Sequence, residues 1–370
     1  MVTVTKTCND LLTEVIDKGL CALCGACTGS CPYLAYHKGR IALLDSCTVT
    51  QAQCYEYCCR TQIYMDRLSQ HVFGTPYSSD ELGTAKEILV ARSTDKRIVG
   101  KAQYGGAVTA LLTLALEEKL IQGAITAKMS PDRTSAAVLA KTPDEVLQCA
   151  GSNYMACPVL EAYNKLPKDT TLKLGIVATP CQVLATTKMK NHPPQNRADI
   201  GNIQLVIGLF CTWALAPDGF HKFIKEKFDL LKVTKFDITP PPANRFDVFT
   251  ASGTTSLPLD DIRKYRMPTC AYCLDMTAEF ADLSIGAAEG IEGWNTVIVR
   301  TETGARLMDL AKSKGKLETD KLPLQNLAHL KEAAWLKKKR ALQEIVNRTG
   351  DKKDLLYLSL TQGLIDKLLG

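Results

Sequence analysis

The chain is poor in histidine, with five in 370 residues, and it has no long apolar run. Its longest mainly apolar stretch, Ala107 to Leu116, is about half of the roughly 20 residues a membrane helix needs, so no transmembrane segment is expected. Met1 to Gly19 carries scattered charges and lacks the apolar h-region of a secretory leader. Lysine and arginine (45) barely outnumber aspartate and glutamate (39). The +6 excess is not gathered into one block, which argues against nucleic acid but suits an anionic cofactor or an acidic partner. No internal repeat of about 20–50 residues is present. At 46% hydrophobic and 23% charged, the composition is globular, and the length allows two or three domains.

Cysteine is what the chain has in excess, at 15 residues. A protein this long does not need disulfides to fold, and the spacing favours metal over disulfide. A cytoplasmic, oxygen-avoiding protein is expected, with peripheral attachment through a partner left open. Cys21-Ala-Leu-Cys24-Gly-Ala-Cys27-Thr-Gly-Ser-Cys31-Pro32 is the C-x2-C-x2-C-x3-C-P run of bacterial ferredoxins. Three of its thiolates can wrap one face of a cubane while the fourth serves a second cluster. Gly25 is read as leaving room for the inorganic sulfides.

A weaker run follows at Cys47, Cys54, Cys58 and Cys59, with Thr48 and Gln51 where the first two ligands would fall. By the ferredoxin exchange rule, Cys21, Cys24, Cys27 and Cys58 hold one cluster. Cys31, Cys47 and Cys54 hold part of another, with Cys8 or Cys59 as candidate fourth ligand. Zinc is the alternative for the first run, and an empty site for the second.

Further along, Cys181 and Cys211 each follow an apolar strand, which places them where open α/β sheets bind ligands. Cys270-Ala-Tyr-Cys273 could complete a third four-thiol site, or act as a redox-active C-x2-C pair. Cys149 and Cys157 fit no ligand pattern and read as structural.

Cysteine density falls sharply after residue 75, and Gly74 to Ser79 reads as a linker. Strands are expected at Glu87–Arg92, Gly123–Ala127, Leu172–Ala178, Ile203–Phe210, Leu283–Gly286 and Thr296–Arg300, with a helix over Ala107–Lys119. Together they imply a largely buried α/β sheet. Pro240–Pro242 reads as a rigid turn. The basic tail from Leu327 reads as a helix with one packed face, or as a docking segment.

Several stretches resemble the family of beta subunits of coenzyme F420-reducing hydrogenases and dehydrogenases. They are Ala91-Arg-Ser-Thr-Asp95, Gln103-Tyr-Gly-Gly-Ala-Val-Thr-Ala-Leu111, Thr179-Pro-Cys-Gln182 and Gly208-Leu-Phe-Cys211. Cys270-Ala-Tyr-Cys-Leu-Asp275, Ala281-Asp-Leu-Ser-Ile-Gly286 and Gly293-Trp-Asn-Thr-Val-Ile-Val-Arg-Thr301 complete the set. The resemblance implies FAD and one [4Fe–4S] cluster on Cys181, Cys211, Cys270 and Cys273. It makes Gly105 and Gly106, otherwise readable as a tight turn, the best FAD phosphate loop. Thr109, Arg92, Ser93, Thr94 and the loop Gly151, Ser152, Asn153 and Tyr154 are further flavin candidates. Lys101 and Arg97 offer a basic approach for an anionic substrate, and Trp294 reads as core. Tyr104 departs from the Asp or Ser common before the two glycines.

The implied layout is a ferredoxin-like iron–sulfur domain (1–75) before a mixed α/β core. That core has an FAD part (82–170) and a [4Fe–4S] part (171–325), and a helical tail (326–370) follows. The implied activity is an FAD and iron–sulfur oxidoreductase subunit with two to three clusters. It exchanges hydride with coenzyme F420 or NAD(P)H and single electrons with a partner such as a hydrogenase, a formate dehydrogenase or a heterodisulfide-reductase-type complex. Two alternatives are a ferredoxin-dependent reductase of a small or tetrapyrrole substrate and a non-enzymatic relay or zinc scaffold. No side chain is expected to act as a general acid or base.

Overall fold

The computed structural model describes residues 6–29, 31–49, 52–191, 200–239 and 243–370. Gln51 and the Pro240–Pro242 turn lie outside them. Eight strands form one mixed sheet: β1 (Glu87–Ser93), β2 (Gly123–Met129), β3 (Ser135–Ala140), β4 (Leu174–Ala178), β5 (Ile203–Leu209), β6 (Leu283–Ala287), β7 (Asn295–Val299) and β8 (Leu317–Lys321). Their spatial order is β8-β1-β7-β6-β5-β4-β2-β3. Central β2, β4, β5 and β6 run parallel, and antiparallel strands close both edges.

Leu174–Ala178 and Asn295–Val299 are buried along their whole length, as apolar strands covered on both faces must be. The covering helices are α1 (Ala107–Glu117), α2 (Pro180–Asn191), α3 (Glu302–Ser313), α4 (Leu324–Thr349) and α5 (Gln362–Leu369). Alternation along the strands divides the core. Val177, Leu205, Ile207 and Val297 pack with α1 and α3. Ile176 and Val206 pack with α2, α4 and α5. Helix α1 stops two residues short of the expected end because Lys119 turns into the left-handed region at φ 58°. A smaller antiparallel sheet (Val233–Ile238, Arg245–Thr250, Gly253–Pro258) closes over Phe220, Phe236 and Phe246.

The cysteine-rich first 75 residues hold short helices, Cys8–Leu11 and Gln53–Glu56, and a hairpin, Leu34–His37 with Arg40–Leu43. They are sewn into the core. Ile63–Tyr64 pairs in parallel with Leu358–Ser359. Asn164 donates its side-chain amide to the carbonyls of Gly25, Ala26 and Thr28 at 3.1, 3.0 and 2.8 Å.

The Gly74–Ser79 stretch is not a free linker either. Tyr77 stacks on Phe280 and donates to Glu279 at 2.7 Å. In the tail, α4 presents a packed face, and that face includes two lysines of the basic run, Lys337 and Lys338.

Candidate functional site

Twelve cysteines gather into three neighbouring groups, with Cys59 between two of them. The outer group is Cys8, Cys31, Cys47 and Cys54, which pack in one cluster. The inner group is Cys21, Cys24, Cys27 and Cys58. Together with Cys59 these residues line one small pocket. The core group is Cys181, Cys211, Cys270 and Cys273. Cys27 faces Cys54 across the first boundary, and Cys181 faces Cys59 across the second.

Among the described residues no three His, Cys, Asp or Glu side chains converge tightly enough for a single metal ion. Cys149 and Cys157 belong to none of the groups. Cys149 donates to the Glu145 carbonyl, and Cys157 is buried.

Local backbone sets these positions. Leu23 is held at φ 53°, an uncommon conformation for leucine, and it turns the chain between Cys21 and Cys24. Gly25 has a role other than the one expected. A Cβ there would lie 2.6 Å from the Glu161 nitrogen and 2.7 Å from the Pro158 oxygen, so this glycine admits the core backbone. Cys181 opens α2 directly after β4. Cys211 follows β5 and donates its N–H to the Met276 carbonyl at 2.8 Å. Cys270 lies in the 3-10 turn Pro268–Tyr272 and accepts from the Ala214 N–H at 3.4 Å.

Burial pushes the Cys21 thiol up to about 11 and the Cys211 thiol up to about 12. Thiols so placed become thiolates when a cation binds them. Cys59 goes the other way. Hydrogen bonds from Cys24 and Cys58 draw it well below the ordinary value.

Three buried cations, absent from the sequence-based site, brace the groups. Lys188 donates to the Cys58 carbonyl at 2.8 Å and to the Thr61 hydroxyl at 2.7 Å. Lys337 donates to the carbonyls of Cys211 and Asp275, each at 2.6 Å. Arg60 lies between the inner and core groups, close to Cys59, Cys181 and Cys273. It donates to Thr269 at 2.9 Å and to the Tyr357 hydroxyl at 2.7 Å. Thr269 passes the link to the Leu20 carbonyl and Tyr357 to the Tyr272 carbonyl.

The glycine loop sits at the carboxyl edge of the parallel strands, where the Gly105 carbonyl accepts from the Ser93 N–H at 2.7 Å. Gly106, at φ 72°, caps α1. Asn295, which the sequence reading passed over inside a matched stretch, accepts from the Ala107 N–H and donates to the Gly286 carbonyl. The other first-turn amides, and buried Thr109 with them, stand at the helix start. Loop 151–154 approaches this loop, with Gly151 near the Lys101 carbonyl and Tyr104 near Tyr154. Three buried polar atoms in these two loops have no partner: both amide atoms of Gln103 and the Asn153 nitrogen. Such atoms carry an uncompensated desolvation penalty unless a polar ligand engages them, so the loops fit a group as rich in polar atoms as FAD.

Other expected flavin contacts are engaged elsewhere. Arg92 pairs with Glu318 at 2.7 Å and stacks on half-buried Trp294 at 4.6 Å. Thr94 donates to the Gly315 carbonyl at 2.7 Å. Tyr154 donates to Asp237 and packs edge-on to Phe246. Arg97 pairs with Asp95 at 2.9 Å, while Lys101 is exposed. The phenol that faces the loops is that of Tyr104, which burial pushes up to about 12.

Gly105 also supplies a test. A Cβ there would lie 2.7 Å from the Ala91 oxygen and 2.9 Å from Asn295 Oδ1. Gly105→Ala is expected to cost about 1–3 kcal/mol by overpacking. A melting curve checks the effect.

A mixed α/β sheet with a glycine loop and stacked thiol groups at one edge defines a class of redox-type protein, and the comparisons name the family within it. Residues 88–164 match the N-terminal model of the coenzyme F420 hydrogenase/dehydrogenase beta subunit, and residues 171–324 match its C-terminal model. The chain is 35% identical to coenzyme F420 hydrogenase subunit beta of Methanothermobacter thermautotrophicus, over 72% of this chain and 96% of that protein. It is 27% identical to a subunit of the F420H2 dehydrogenase of Methanosarcina mazei, over 84% and 88% respectively. A chain of the F420-reducing [NiFe] hydrogenase complex from Methanosarcina barkeri superposes with a TM-score of 0.67 at 31% identity, covering 73% of this chain and 94% of that one. The chain belongs to the family of coenzyme F420 hydrogenase/dehydrogenase beta subunits.

Proposed function

We propose that the chain is an electron-transfer oxidoreductase subunit that joins a two-electron hydride carrier, F420 before NAD(P)H, to a one-electron partner complex. The observation that carries this reading is the continuity of the thiol groups. They run from the N-terminal layer to Cys181 and Cys211 at the sheet edge that also bears Gly105, Gly106 and the unpartnered Gln103 and Asn153. F420 is favoured because the relatives' names carry it.

In this reading Cys181, Cys211, Cys270 and Cys273 hold one cubane, and Cys21, Cys24, Cys27 and Cys58 hold a second. FAD, when bound, supplies exchange of electron pairs as hydride and release of single electrons. Gly105, Gly106 and the first turn of α1 take its phosphates, while Gln103 and Asn153 satisfy its polar edge. Lys188, Arg60 and Lys337 offset the negative charge of the thiolate groups. Residues 1–75 act as the ferredoxin-like segment, 82–170 as the FAD part and 171–325 as the core cluster part, with 326–370 as a brace.

Anaerobically purified protein is expected to show flavin and iron–sulfur absorption that bleaches rapidly with reduced F420. Bleaching by reduced ferredoxin alone would overturn the hydride-carrier reading in favour of a ferredoxin-driven reductase. A colourless zinc protein would overturn both.

A further inference from the structure

We infer that Cys8, Cys31, Cys47 and Cys54 form a third [4Fe–4S] site, outside the residues matched by the family, with Cys8 as the ligand that the degenerate second run lacks. The inference rests on the iron–sulfur reading above and adds to it a centre facing away from the flavin.

The geometry singles out Cys8 over Cys59. The Cys8 side chain is fully buried although it lies near the start of the described chain. Cys8 and Cys54 lie in one buried cluster with Cys31 and Cys47 packed against it, whereas Cys59 belongs to the neighbouring cluster. Cys59 lies on the far side of the inner group, against Cys24, Cys58 and Cys181.

The placement of Cys8 is built. Thr7 caps its helix through a reciprocal box with Asp10. The helix runs on into the π-helical segment Leu12–Ile16, a wide turn found often at functional sites. From that segment Glu14 accepts from the Tyr55 hydroxyl and pairs with Lys6. Tyr55 adjoins Cys54, so this contact clamps the Cys8 helix onto the helix that carries another thiol of the same group.

The site gives the chain a terminus for single electrons. Cys54 faces Cys27 of the inner group, so cubanes held at these two sites would supply one-electron exchange between them, one cluster oxidised as the other is reduced, with no bond made or broken. The partner served by this end is a one-electron carrier.

The experiment is a count of iron and acid-labile sulfide per full-length chain, purified without oxygen. About 12 of each are expected, at four per cubane. Cys8→Ala should fall toward about 8, or to about 11 with a three-iron EPR signal, with flavin content unchanged. Cys59→Ala should stay near 12.

A Cys8→Ala protein that keeps the wild-type count would overturn the inference, as would loss of four irons from Cys59→Ala instead. If Cys8→Ala does not fold, the wild-type count decides: about 8 rejects the third site, and no iron at all rejects the broader reading.

Discussion

Replacing Lys338 with methionine is expected to destabilise the protein by about 3–5 kcal/mol, the range for breaking a buried ion pair by removing one partner. Lys338 and Glu279 are ion-paired with side chains only 2% and 3% exposed. Tyr77 donates to the same carboxylate. Burial and the nearby Glu279 already push the Asp275 carboxyl above its ordinary value. Without the lysine, the Glu279 charge would face that carboxyl with little to offset it besides Arg300. The double variant Lys338→Met with Glu279→Gln removes both charges and should recover most of the loss. Urea unfolding of the three proteins gives the comparison, and a double variant no more stable than the single one would show that charge is not the cause. The effect reaches the core thiols, because Asp275 is two residues from Cys273 and shares Lys337 with Cys211.

On the proposed reading, in which the inner and core thiol groups hold cubanes, Arg60→Met should lower both reduction potentials together. A unit charge at close range in an effective dielectric of about 20 is worth about 2–3 kcal/mol. At about 59 mV per tenfold change in a one-electron equilibrium, that is on the order of 100 mV. The sign follows from charge: reduction makes a thiolate-held cubane more negative, and a fixed cation favours that state. Arg60→Lys keeps the charge but loses the two-armed link to Thr269 and Tyr357. It should hold the potentials near wild type while lowering stability. EPR-monitored redox titration of both variants separates the two roles. Unchanged potentials in Arg60→Met would reduce Arg60 to a structural strut.

The buried strands were legible because Ile203–Leu209 and Asn295–Val299 are mainly apolar runs with the composition of sheet interiors. Leu317–Lys321 was not, since Glu318, Asp320 and Lys321 give this edge strand the polarity of a loop, as exposed edges require. The Cys21 to Cys31 run stands out because its thiols are local in sequence. Cys8 reads only as a candidate, because no spacing ties it to Cys47. Arg60, Lys188 and Lys337 were invisible for a related reason. In sequence they are ordinary surface-type residues, and it is contacts distant in the chain, from 62 to 297 residues away, that bury them. Nor could the sequence show that the hydroxyls of Thr94 and Tyr154, near the glycine loop, are hydrogen-bonded within the fold.

The contact between Arg60 and Tyr357 spans 297 positions. During synthesis the first cysteines leave the ribosome long before the segment that closes over them. Until Leu358 and Ser359 pair beside Ile63 and Tyr64, the inner thiols lack the segment that closes over them. The seam thus closes late in synthesis, and a nascent chain stalled short of Tyr357 would hold those thiols unsealed.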